Sequence, residues 1–188
     1  NTASGANVAI GYESLLVYNN TSEASHFNTA LGTQSGKALT TGVENVFIGG
    51  RAGDATTDAD YNTAVGQDAL GGNVLGSRSV AIGTNALLVQ TPATAANMYN
   101  VAVGNDAGKA VTTGIRNTLI GGLAGDALTD ADDNVAIGQF ALSTETTGNK
   151  TTAIGTNSLG TQNVAGDSQN TAVGYNAGFA VTTGIQNA

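Results

Sequence analysis

No cysteine occurs anywhere in the chain, so neither a disulfide framework nor a thiolate metal site is available. Charge is scarce as well: 11% of the 188 residues are Asp, Glu, Lys or Arg. That little charge is one-sided, with 14 acidic against 6 basic residues and a net charge of −8, which speaks against nucleic acid and anionic membrane surfaces as partners. Tryptophan is absent and aromatics make up 5%, so the apolar residues are mostly Ala and Val, too small to fill a wide core. No run approaches the roughly 18 apolar residues that span a bilayer, so no membrane insertion is expected of this segment. Proline occurs once, at Pro92. Glycine, by contrast, occurs 27 times and at fixed phase, which marks turns rather than a flexible linker.

The phase is set by one five-residue phrase, Ser79-Val80-Ala81-Ile82-Gly83 in its fifth copy. Copies begin at Asn7, Asn28, Asn45, Asn62, Ser79, Asn100, Asn117, Asn134, Thr151 and Asn170, and an eleventh begins at Asn187. The fourth residue is always Ile, Val or Leu, the fifth is always Gly, and a small residue follows three positions later. Successive starts lie 21, 17, 17, 17, 21, 17, 17, 17, 19 and 17 residues apart. Longer matches recur at 72 residues: GKALTTGVEN (36–45) returns as GKAVTTGIRN (108–117), and IGGRAGDATTDADYN (48–62) as IGGLAGDALTDADDN (120–134). The chain therefore reads as a single repeat array over 1–188, in four-coil sets such as 28–99 and 100–169. Neither end carries an atypical capping unit, so a fragment of a longer fibre is expected.

Within the phrase, positions two and four are Val or Thr, then Ile, Val or Leu, the period-2 alternation of a strand in β-branched residues. The third position is Ala in eight copies and Phe47 or Leu119 in the others. A second short strand is expected over Ala38–Thr41, with Gly42 turning the chain back. The expected fold class is all-β, a parallel β-solenoid or β-roll of about 17-residue coils, about 48 Å long over ten coils at about 4.8 Å each. The leading Asn is expected either to stack as an amide ladder or to serve as a turn residue, the two being compatible. Val80, Ile82 and their counterparts are expected to face inward. The opposite stripe, Ala9, Ala30, Phe47, Ala64, Ala81, Ala102, Leu119, Ala136, Ala153 and Ala172, then faces outward and calls for a partner chain.

Ser79-Val80-Ala81-Ile82-Gly83 followed by Ala86 resembles the head repeat of trimeric autotransporter adhesins of the YadA-like kind. The NTAVG-x-x-AG and NVAIG-x-x-AL versions resemble arrays in phage tail fibres. The resemblance covers residues 7 to 188 and implies a left-handed parallel roll, a parallel homotrimer and a role in binding a host or surface. Coils somewhat longer than the adhesin's, Asn rather than Ser at the first position, and an insertion every fourth coil are departures from that pattern.

No catalytic constellation is apparent, and the chain is not expected to be an enzyme. The spacing Asp58-x-Asp60-x-Asn62, repeated as Asp130-x-Asp132-x-Asn134, could set oxygen ligands for calcium on one side of a loop, the alternative being a solvated acidic edge. No other cofactor is expected. The long connections 11–27, 83–99 and 155–169 hold many of the scarce large side chains. Tyr18, His26, Phe27, Met98 and Tyr99 are candidates for receptor contact, or else for a local mini-core on the roll's flank.

The leading functional expectation is a structural and adhesive segment of an extracellular trimeric fibre, a phage tail or appendage fibre that projects, stiffens and contacts host glycan or protein. The head of a bacterial adhesin on the cell surface is the alternative. An ice-binding solenoid would need a flat Thr array on every coil, whereas Thr40-Thr41, Thr112-Thr113 and Thr182-Thr183 recur on one coil in four.

Overall fold

The computed structural model describes residues 6–21 and 26–188, so 22–25 of the first long connection lie outside the described residues. Among these there is no helix. Ten three-residue strands, from Val8–Ile10 and Thr29–Leu31 through Val80–Ile82 to Thr171–Val173, stack in chain order as one parallel sheet. Register is exact from coil to coil: Ala81 pairs with Ala64 below and Ala102 above. The chain is thus an all-β parallel solenoid with one turn per repeat, as the spacing predicts.

The glycine that closes each strand has a steric reason. Gly83 adopts φ +133°, and a Cβ there would lie 2.4 Å from the carbonyl oxygen of Gly104 in the next coil. No other residue fits so close a stack of backbones.

The second half of the coil differs from expectation. Ala38–Thr41 leaves a turn and passes into a bend, and is not a strand. Its amides still bond the next coil, Ala38 N–H to the Asp54 carbonyl at 3.0 Å and Thr40 N–H to that of Thr57 at 2.8 Å. The chain turns there too sharply for a pleated run. Every non-glycine residue at positive φ falls in one of three columns: the second residue after the strand glycine, the fourth where it is Leu, and the residue just before the next copy. Among the described residues, two-residue pairings appear only where long coils meet their neighbours, Gly76–Ser77 with Ala96–Asn97 and Gly148–Asn149 with Gly166–Asp167.

The two faces of the main sheet are the reverse of the expected ones. Ala30, Phe47, Ala64, Ala81, Ala102, Leu119, Ala136 and Ala153 have no exposure in a single chain, and Ala172 packs partly against them. Only Ala9, in the first coil, is exposed. Val80 and Ile82 point outward instead, Ile82 at 39% exposure. Both faces are apolar, so alternation alone does not choose between them. Width does: the interior between sheet and turn wall holds about one large side chain per coil.

That limit explains the four-coil period. In the coil from Asn28 the large side chain is Leu39, opposite Ala30 and Gly36. In the next it is Phe47, and Gly53 lies beneath its ring, where a Cβ would come within 2.5 Å. In the following two it is Leu70 and Leu87, opposite Ala64 and Ala81. The second set repeats the scheme with Val111, Leu119, Leu142 and Leu159, Leu128 adding a second in the Leu119 coil. Where the Leu70-type column carries the bulk, the Leu39 column turns polar: Asn73, Gln90, Glu145 and Gln162 are all fully buried.

The leading asparagines form the ladder. Asn45 Oδ1 accepts the backbone N–H of Asn62 at 2.9 Å, and Asn45 Nδ2 donates to the Ala59 carbonyl at 2.8 Å. The same pair of bonds recurs at Asn62, Asn117 and Asn134. Each buried amide therefore satisfies one backbone donor and one backbone acceptor of the turns around it.

Candidate functional site

Three surface features remain once the interior is accounted for. The first is the outer face of the main sheet. Ile10, Leu31, Ile82, Ile120 and Val173 are exposed and Ile48, Val65, Val103, Ile137 and Ile154 half-buried, with Val or Thr beside each. The strands stack in register, so these side chains form one continuous aliphatic stripe of about 48 Å at about 4.8 Å per coil. The proposed contact residues Ala9 to Ala172 lie behind it, and all but Ala9 are buried or half-buried within the chain itself.

The second is the acidic edge, which does not assemble the expected ligand set. Asn62 and Asn134 are turned inward as ladder residues and donate to the Gly76 and Gly148 carbonyls at 2.9 Å. Asp60 Oδ1 accepts the Val43 N–H, and Asp132 Oδ1 the Ile115 N–H, each at 2.8 Å. The second Asp of the spacing therefore ties a turn to the previous coil. Asp58 and Asp130 stay on the surface, each accepting the hydroxyl of the preceding Thr. Among the described residues no group of three or more His, Asp or Glu gathers as a metal site.

Nearby carboxylates are set by their surroundings. Burial pushes Asp54 and Asp126 above the usual carboxylate range, and Asp126 Oδ1 has no partner among the described residues. Arg51 grips Asp68 through two bonds of 2.5 and 2.6 Å and holds its carboxyl below that range. Arg116 does the same to Asp133, and Lys150 to Asp167. Glu13 is lowered to about 2 by Lys37, helped by Gln34 and Tyr12.

The third feature is an edge row, the residue just before each copy of the repeat. Of the expected receptor contacts, Tyr18, His26 and Met98 are buried. Tyr18 and His26 pack edge to face at 5.7 Å as a local cluster beneath the first long connection, and Met98 is buried separately beside Gly76. Their apolar bulk is worth more beneath the long connections than in water. Phe27 and Tyr99 are exposed at 57% and 52%. Both belong to the row Phe27, Glu44, Tyr61, Arg78, Tyr99, Arg116, whose members all take positive φ and stand outward. Tyr61 and Arg78 escaped the sequence reading, although their place before Asn62 and Ser79 is the place of Phe27 before Asn28. Arg78 lies over the Tyr61 ring, 4.4 Å from its centroid, and its Nε donates to Asn97 Oδ1 at 3.2 Å.

No family model, curated protein or solved structure matches the chain.

Proposed function

We propose that this chain is a structural segment of an extracellular fibre, in which three parallel copies, each wound left-handed, meet along the outer aliphatic stripe of the main sheet. The observation that carries the reading is that stripe, with Ile10 at 58%, Leu31 at 43% and Ile82 at 39% exposure in a single chain. A continuous apolar line of this length exceeds what soluble monomers normally leave in water. Another copy of the same roll is the natural cover. Its stripe is equally continuous and has the same rise per coil, so side chains can match level by level. The three-fold count follows the resemblance to trimeric adhesin heads and phage fibres. In this role the solenoid projects and stiffens, and a phage tail or appendage fibre and a bacterial adhesin head are its two settings.

The experiment sets an outward substitution against an inward one. Ile82→Asp with Ile120→Asp should dissociate the assembly in sedimentation equilibrium, since carboxylates buried without partners cost several kcal/mol each. Ala81→Asp should instead unfold the roll itself, because that position is inside each chain. A native chain that sediments as a monomer at micromolar concentration overturns the proposal.

A further inference from the structure

We infer that the edge row at Tyr61, Arg78 and Tyr99 is a binding track for a linear acidic glycan lying along the solenoid axis. The chain has only nine Tyr and Phe, and three of them, Phe27, Tyr61 and Tyr99, stand in this one column. They are two coils apart, hence about 9.6 Å between neighbours at about 4.8 Å per coil. The backbone there is left-handed, where Asn or Gly sits at least cost and a bulky aromatic at the most. Apart from the Arg78 contact on Tyr61, folding gives no reason to prefer Phe or Tyr, and other coils use Glu, Arg, Asp, Lys or Gln at the same place.

Arg78 stands at the level between the two tyrosines. Of the six basic residues it alone has no carboxylate partner among the described residues: Lys37, Arg51, Lys109, Arg116 and Lys150 are all paired. In a chain of net charge −8, carboxylates to neutralise it are plentiful, yet its guanidinium is held by Tyr61 and Asn97 and its two terminal amino groups have no partner among the described residues. A planar, unpaired fork of donors is suited to a carboxylate from outside the chain.

The spacing selects the shape of the ligand. In an extended β-linked polysaccharide successive rings present opposite faces, so every second ring offers the same C–H face to a flat aromatic. A pyranose ring is about as long as one coil rise, so Tyr61 and Tyr99 meet rings of like orientation and Arg78 meets the one between. A hexuronate at that ring supplies the carboxylate. Phe27, two coils below Tyr61, meets a ring of like orientation two rings further on, past the level of Glu44.

The test is isothermal titration of the full chain with β-(1→4)-linked mannuronate oligosaccharides, and in parallel with neutral cello-oligosaccharides. Saturable, salt-sensitive binding of the mannuronates is expected, growing with length until the oligosaccharide spans Tyr61 to Tyr99, and weaker for the neutral series. Arg78→Gln should lower affinity about tenfold, the scale of one charge-assisted contact. Tyr99→Asn should also weaken binding and still fold, since Asn tolerates the left-handed backbone. No saturable binding of the mannuronates, or equal binding of both series untouched by Arg78→Gln, overturns the proposal. A change of oligomeric state in Arg78→Gln or Tyr99→Asn overturns it too, assigning the row to contact between copies. A monomeric native chain that still binds would sink the fibre reading and leave the track standing.

Discussion

The Gln90 side-chain oxygen accepts the Asn100 Nδ2 proton at 2.9 Å, standing where an asparagine oxygen stands at comparable rungs of the ladder. The rung below Asn100 is Ser79, too short to reach, and its hydroxyl also bonds Gln90 Oε1, at 3.2 Å. Gln162 Oε1 likewise accepts from Asn170 Nδ2 at 2.7 Å, while its Nε2 donates to the Thr151 hydroxyl at 3.1 Å. Both repaired rungs belong to long coils, and in each a buried glutamine closes the gap, whereas the first long coil keeps its rung, Asn7 Oδ1 accepting the Asn28 N–H at 2.8 Å.

Gln90→Ala should accordingly lower stability by about 1–3 kcal/mol, the cost of leaving buried partners unsatisfied. Adding Ser79→Asn to that variant should recover part of the loss by restoring the rung. Chemical denaturation of the single and double variants measures both.

The alternation of bulk across the core predicts a rescue. Phe47→Ala should cost about 3–5 kcal/mol, because the ring fills the coil against Gly53. Gly53→Leu alone should also be severe, since its Cβ would meet that ring. The pair together reproduces the Ala64–Leu70 pattern of the next coil and should be more stable than either single variant. Melting temperatures of the three chains check this.

Acid should act with opposite sign on two sets of carboxyls. Asp54 and Asp126, raised by burial, bind protons more tightly in the native state than in the unfolded chain. When ionised they cost stability, and that cost vanishes as pH falls below their ordinary value. Asp126→Asn should therefore raise the melting temperature near neutral pH, with the gain fading below about pH 4. Asp68, Asp133 and Asp167 are lowered by Arg51, Arg116 and Lys150, so their contribution is present near neutral pH and lost as pH falls through the depressed value. Asp68→Asn should lower stability near neutral pH and have no effect in strong acid. All these pairs are exposed, so each change is small.

The acidic edge should be indifferent to calcium. Asn62 and Asn134 serve the ladder and Asp60 and Asp132 tie turns together, so the oxygens of the spacing do not converge. Thermal melts with chelator and with millimolar calcium should coincide. A shift would return the edge to candidacy.

Period, strand position and parallel stacking were legible in the sequence because backbone geometry writes them in residues that admit few substitutes: Gly83 against the Gly104 carbonyl, Asn45 between two coils. The direction of the faces was not legible. Val80 and Ala81 are both apolar, and only the width of the closed coil decides that alanine goes inside. The same width hid the polar interior, since Asn73 and Gln90 look like loop residues until their partners stack on them. Tyr61 and Arg78 were missed for a different reason. They vary from coil to coil, and a reading tuned to what recurs passes over a column whose shared property is position.

The backbone bonds that join one coil to the next also decide how the rod answers a pull on its two ends. Each coil is fastened to its immediate neighbours alone, as when Thr63 N–H bonds the Ser79 carbonyl and Gly66 N–H that of Ile48. The tension runs through every coil, but the outermost turn is bonded to a neighbour on one side only, so it is the one held least. That turn should peel away by itself, paying out about 17 residues, or about 57 Å of extended chain, before the next one gives way.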